Sequence, residues 1–262
     1  MSTRNEILSE YYDNSKEDSR LIRSRHGQLE YRVTMDQIHR FVNGDAKILE
    51  VGAGTGRYSI ALAKEGFDVS AVELIPSNLN ILKENSKDLN NIKAYEGDAI
   101  DLSRFDDDTF DVTLVLGPMY HLYDADEINM AIDEAIRVTK KEGVILFAFI
   151  SIYATMFSNY FKNNWTAGQE ENYDEDYHIR HFKEQLFTGY DIDEFEGLFQ
   201  NKTVEWITTV ATDGMLEALE KRSDFMISDE DFEKFFKWYL TYAQRREILA
   251  AASHLLYVCR KM

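Results

Sequence analysis

Ile48-Leu49-Glu50-Val51-Gly52-Ala53-Gly54-Thr55-Gly56-Arg57 is the stretch that decides the fold. A short apolar run ends in an acid, three glycines follow at alternate positions, and a helix-like segment continues from Arg57 to Glu65. This is how a buried parallel strand turns sharply into a helix with its backbone bare toward a ligand. Glycine allows positive φ and carries no Cβ to hold a ligand away. The helix beyond offers unpaired N–H groups and the positive end of its dipole.

The spacing is G-x-G-x-G, with Glu50 two residues before the first glycine. The dinucleotide fingerprint is instead G-x-G-x-x-G. A glycine triplet alone also suits a structural turn, so the flanking strands must decide. Val69-Ser70-Ala71-Val72-Glu73 reads as a second strand ending in an acid, placed to accept from both ribose hydroxyls of an adenosine ligand. An NAD enzyme would carry the same acid. Ile92 to Glu96 reads as a third strand and runs into Gly97-Asp98-Ala99, and Phe110 to Leu116 as a fourth running into Gly117-Pro118-Met119-Tyr120-His121-Leu122.

In this order the segments resemble the class I S-adenosylmethionine-dependent methyltransferases, over residues 46–150 and most closely the bacterial small-molecule type. The resemblance implies an α/β fold: a doubly wound, seven-stranded, mostly parallel sheet whose last strand, His254 to Arg260, inserts antiparallel beside strand six. It implies S-adenosyl-L-methionine as cofactor and S-adenosyl-L-homocysteine as product. Gly52, Ala53, Gly54 and Gly56 would line its methionine portion and ribose, with Glu50 fixing the loop near the donor's amino group. Glu73 would take the ribose hydroxyls, Leu74 would pack on adenine, and Asp98 and Ala99 would hold the adenine edge. The Leu116 carbonyl would accept from the methionine ammonium.

Residues 117–123 should face the transferable methyl. Amino-directed DNA methyltransferases carry Asn- or Asp-Pro-Pro-Tyr at that place; Gly117 here argues against that class. His121 or Tyr120 could orient or deprotonate a nucleophile, since histidine titrates near neutrality. A purely structural role for His121 stays open. The class has no universal catalytic residue, because catalysis rests on holding the reactants in line and excluding water.

Composition narrows the alternatives. The chain has 262 residues, 44% hydrophobic, read as one methyltransferase domain over 1–262. Within it, 1–45 form an N-terminal helical lid, 46–151 the cofactor-binding core, 152–190 a helical cap inserted after strand five, and 191–262 the C-terminal half of the sheet. A net charge of −18 disfavours a large nucleic-acid partner, whose binding is driven by Lys and Arg on phosphates. No apolar run approaches the roughly 18 residues of a membrane helix. The N-terminus lacks the apolar region of a secretory signal. The single cysteine, Cys259, excludes an internal disulfide and suggests no metal site. The expected setting is a cytoplasmic enzyme, monomer or homodimer, acting on a small-molecule substrate without nucleic-acid or membrane partners; the alternatives are a methyltransferase acting on a protein or tRNA and a cofactor-binding module without turnover.

Further helices are expected near 56–65, 77–88 and 126–139, the last burying Met130, Ala131, Ala135 and Val138. Gly143 is expected to start strand five, and a helix is expected over Asp229 to Glu247. In the lid, Tyr11, Tyr12 and Arg20 are expected to reach the site, with plain helix packing as the competing reading. The aromatic run from Tyr153 to Phe182 suggests a cover over an apolar or planar substrate, though it suits a core equally.

Overall fold

The computed structural model describes residues 3–15, 17–182 and 185–262, so residues 1, 2 and 16 of the predicted lid and 183 and 184 of the predicted cap lie outside the described residues. In chain order the elements are α1 (Arg4–Asn14), α2 (Arg25–His39), β1 (Lys47–Val51), α3 (Arg57–Lys64), β2 (Asp68–Glu73), α4 (Pro76–Ser86), β3 (Ile92–Glu96) and β4 (Phe110–Val115). Then follow α5 (Ala125–Val138), β5 (Thr139–Ile150), α6 (Ile152–Thr155) with a π-helical turn at Met156–Tyr160, α7 (Trp165–Asn172), α8 (Ile192–Gly197) and β6 (Val204–Ala211). Last come α9 (Leu216–Glu220), α10 (Asp229–Tyr242), α11 (Arg246–Leu249) and β7 (His254–Lys261).

The sheet order is β3-β2-β1-β4-β5-β7-β6. β1 pairs in parallel with both β2 and β4 and the crossovers diverge there, so the β1 and β4 tips open a crevice. β7 is antiparallel to both neighbours, as expected. This reversal brings its first residue, His254, opposite Ile150, at the same end of the sheet as the β1 and β4 tips.

Local chemistry sets the elements. β1 and β4 are buried almost throughout, as parallel strands covered on both faces must be. α1 opens with a capping box between Thr3 and Glu6. The Asp124 side chain accepts from the Asp126 and Glu127 N–H groups at the start of α5. α5 buries Ile128, Ala131, Ile132, Ala135, Ile136 and Val138, whereas the predicted core residue Met130 is exposed on the opposite face.

Three boundaries differ from expectation. β5 starts at Thr139 rather than Gly143, because Thr139 pairs with Phe110 and a register shift absorbs the Lys140–Gly143 turn, where Glu142 sits at φ +65°. The helix expected to run to Glu247 breaks after Tyr242, where the Ala243 carbonyl turns to accept from Ala211 N–H in β6. The cap is helical only to Asn172; from there to residue 190 the described chain crosses back without a helix and pairs with Ile150 through Tyr190.

A candidate donor cavity and its neighbouring chamber

The glycine loop is built from both strand tips. Gly52 and Ala53 N–H both donate to the Val72 carbonyl. Gly54 N–H donates to Glu73 Oε2 at 2.7 Å, and Ile75 N–H to Glu73 Oε1 at 2.8 Å. The acid at the end of β2 therefore holds the loop at the end of β1. Burial raises the Glu73 carboxyl above its ordinary range, against those two bonds.

Gly52 stands at φ +74°, and a Cβ there would lie 2.6 Å from Pro118 Cδ. Gly54, at φ +56°, would meet only Glu17 Cγ at 3.9 Å, so its open side faces the cavity. Gly56 does not line the cavity; it caps α3 at φ +87° and presses on Leu82.

Glu50 is almost wholly buried and accepts from Ser59 through both its N–H, at 2.8 Å, and its hydroxyl, tying β1 to α3. Burial pushes its carboxyl up to about 8, against the Ser59 bonds.

One cavity runs from Asp98 and Ala99, past Glu73 and Leu74, along Gly52, Ala53 and Gly54, to Leu116, Tyr120 and His121, with Glu50 on its wall. The lid closes it. Arg4, Leu8 and Tyr12, each one helical turn apart on α1, line it along one face. Arg4 bonds Asp98 Oδ2 at 2.6 Å and lies 3.3 Å from Glu127 Oε2. Arg4 and Leu8 escaped the sequence reading, although their spacing with Tyr12 was visible.

Tyr12 Oη lies 2.9 Å from His121 Nε2, and His121 Nδ1 lies 2.7 Å from the Leu186 carbonyl. A carbonyl only accepts, so Nδ1 carries the proton and Nε2 accepts from the Tyr12 hydroxyl. Burial pushes His121 down to about 4, so it is neutral at physiological pH. The Tyr120 hydroxyl donates to the Leu116 carbonyl at 3.2 Å.

Arg20 grips Glu30 through two bonds, at 2.7 and 2.9 Å, and Glu17 at 3.0 Å. Burial would raise the Glu30 carboxyl, but Arg20 and His254 hold it down at about 2.

Tyr12, Glu17, Arg20 and Tyr120 also line a second chamber of about 660 Å³. Tyr11 faces this chamber rather than the donor cavity, packed edge-on against Tyr12 and Phe187. Of the cap aromatics, Tyr160 and Phe187 reach it; Tyr153, Phe157, Trp165, Tyr173 and Tyr177 surround a separate hollow on the cap. Glu217, Ser253 and His254 complete the chamber wall and were not anticipated.

Residues 48–143 match the family profile described as a methyltransferase domain. The chain is similar to a demethylmenaquinone methyltransferase of Staphylococcus aureus, 31% identical over 130 residues, which covers 46% of this chain and 52% of that protein. It thus spans about half the length of the curated relatives it matches. Among solved structures it is similar to a Thermotoga maritima S-adenosylmethionine-dependent methyltransferase, described as a possible histamine N-methyltransferase, with TM-score 0.61, 14% identity and 99% and 100% of the two chains covered. It is also similar to phosphoethanolamine N-methyltransferase 1 of Haemonchus contortus, in complex with phosphoethanolamine and S-adenosylhomocysteine, with TM-score 0.61, 13% identity, all of this chain and 50% of that one covered. The fold is that of the class I S-adenosylmethionine-dependent methyltransferases. Within it, residues 48–143 match a methyltransferase domain, and the donor of that fold class is S-adenosylmethionine.

The residues present fit that donor. The open side of Gly54 leaves room that a Cβ would take, and the buried Glu73 and the half-buried Asp98, the latter paired with Arg4, stand at the β2 and β3 tips.

Proposed function

We propose that the chain transfers a methyl group from S-adenosylmethionine to a small molecule held in the second chamber. The observation that carries this reading is the shared wall: Tyr12, Glu17, Arg20 and Tyr120 line the donor cavity and the chamber alike. The chamber has the volume of a small-ligand site and is lined by residues of both the lid and the cap.

When bound, S-adenosylmethionine supplies a methyl group on a sulfonium whose leaving group is a neutral thioether. The chain's own residues bind and align. Glu73 would receive the ribose hydroxyls, Leu74, Asp98 and Ala99 the adenine, and Gly52, Ala53 and Gly54 would let the donor approach the backbone. Glu50 and the Leu116 carbonyl would receive the ammonium. Gly56 would act behind them by shaping the α3 start. His121 and Tyr120 would stand beside the reacting centre. His121, neutral and bonded through both nitrogens, would orient Tyr12; Tyr120 would tie the β4 tip to the chamber floor.

The test is radiolabelled methyl transfer into a fractionated lysate. Label in the low-molecular-mass fraction supports the reading. Label confined to protein or tRNA overturns it.

A further inference from the structure

His254 is drawn to the ligand end of the sheet only because β7 runs antiparallel, and the reading above assigns it no part. Its ring is oriented from behind. Asp213, fully buried after β6, accepts the Ser253 and His254 N–H groups on Oδ1, at 3.0 and 3.1 Å. Its Oδ2 lies 2.7 Å from His254 Nδ1. Nε2 is left as the nitrogen that can meet a chamber occupant.

His254 lines the chamber, and it shares a small adjoining cavity with Leu116 and Tyr120, both of which also line the donor cavity. The ring therefore lies between acceptor space and the donor end. The other charged groups around it are Glu30, whose Oε2 is 3.8 Å from Nδ1, Glu217, paired with Lys221, and Arg20, paired with Glu30. Burial works against charge on the imidazole, but the Glu30 and Asp213 carboxylates overcome it and push it up to about 9.

We propose that His254, oriented through Nδ1 by Asp213, pairs through its Nε2–H with the oxyanion of the methyl acceptor, and that this acceptor is a planar acidic hydroxyl compound, a phenol or enol. The inference rests on the methyl-transfer reading. Tyr12, Tyr120, Tyr160 and Phe187 supply aromatic walls for a planar ring; the lining acids Glu17, Glu171 and Glu217 are bonded to Arg20, Tyr160 and Lys221 in turn, which leaves Arg23 and the His254 ring to meet an oxyanion. The acceptor O–H bond breaks on binding, its electron pair stays on oxygen, and the proton goes to solvent, because the ring already holds a proton on each nitrogen.

The test uses the full chain saturated with S-adenosylhomocysteine and 4-nitrophenol as probe, at a pH well below the probe's own pKa. The phenolate absorption band should appear with the wild type and not with H254Q. D213N should weaken probe affinity about tenfold, the factor of one pKa unit. The atoms of Asp213, Glu217 and His254 lie within 4.8 Å of one another, a spacing a cation could use. The band should therefore survive EDTA, and its loss would overturn the pairing with His254.

No band with the wild type, or an equal band with H254Q, also overturns the proposal. Should H254Q fail to fold, 15N-histidine NMR of the wild type decides: probe addition must move the His254 Nε2 resonance, and an unmoved signal contradicts the role. S-adenosylhomocysteine binding by calorimetry separates the two readings, since its absence in the wild type defeats methyl transfer itself, whereas its presence without the band defeats only the role of His254.

Discussion

The Tyr12 hydroxyl donates to Nε2 of His121 across 109 positions of sequence, at 2.9 Å, and so fastens the first helix over the β4 tip. The bond needs a neutral imidazole protonated on Nδ1, which the Leu186 carbonyl and burial both enforce. Replacing Tyr12 by Phe leaves a buried acceptor without its donor. The expected cost is about 1–3 kcal/mol of stability. S-adenosylhomocysteine affinity should fall with it, because the lid that roofs the donor cavity is loosened. Urea unfolding and calorimetry on Y12F check both; an unchanged affinity would separate the lid from donor binding.

Glu50 carries a proton at neutral pH in the free protein, since burial pushes it up to about 8. A donor ammonium brought beside it favours the carboxylate. Binding of S-adenosylhomocysteine at pH 7 should therefore release a proton. Calorimetry in buffers of different ionisation enthalpy reads this directly, and E50Q should abolish the buffer dependence. Identical heats in all buffers would remove Glu50 from the ammonium site.

The Arg20–Glu30 pair predicts an acid limb. Glu30 is lowered from an ordinary 4.5 to about 2, so its stabilisation is fully present above pH 4.5 and is lost as pH falls through 2. R20M leaves a buried carboxylate without its partner. It should cost about 3 kcal/mol, toward the lower end for a broken buried pair because Arg20 is 29% exposed. The variant's unfolding midpoint should also flatten between pH 4.5 and 2. A wild-type midpoint that does not change there would contradict the assignment.

Two glycines with similar backbone angles should respond differently. At Gly52, φ +74° combines with a Cβ site 2.6 Å from the rigid Pro118 ring. G52A should cost about 2–4 kcal/mol from left-handed strain and overpacking together. At Gly44, φ is +53° with nothing within 4 Å, so G44A should cost only about 1–2 kcal/mol. Equal losses in melting temperature would mean that contact with Pro118 does not constrain the loop.

Much of this was legible in the sequence, for physical reasons. Strands β1 and β2 are continuous apolar runs ending in Glu50-Val51 and Glu73, and their bounds fall within a residue of expectation. The glycine loop announces itself because only glycine fits at Gly52, Gly54 and Gly56, all at positive φ. The cap was less legible: its aromatic run reads equally as core or cover, and most of those rings turned outward. His254 and Asp213 were invisible because no local pattern joins positions 41 residues apart. The signal that could have found them is topological: a final antiparallel strand must begin at the ligand end, so a polar residue at its start deserves scrutiny. Arg4 could have been found with Tyr12, from the two-turn stripe Arg4, Leu8, Tyr12.

The central claim is that the loop from Gly52 to Gly56, with Glu73 and Asp98, holds S-adenosylmethionine. Titration calorimetry of the wild type with S-adenosylhomocysteine, and separately with NAD, tests it most directly. Saturable one-to-one binding of S-adenosylhomocysteine is expected, weakened strongly by G54V, with no binding of NAD. Binding of NAD without S-adenosylhomocysteine, or binding that G54V leaves intact, would contradict it.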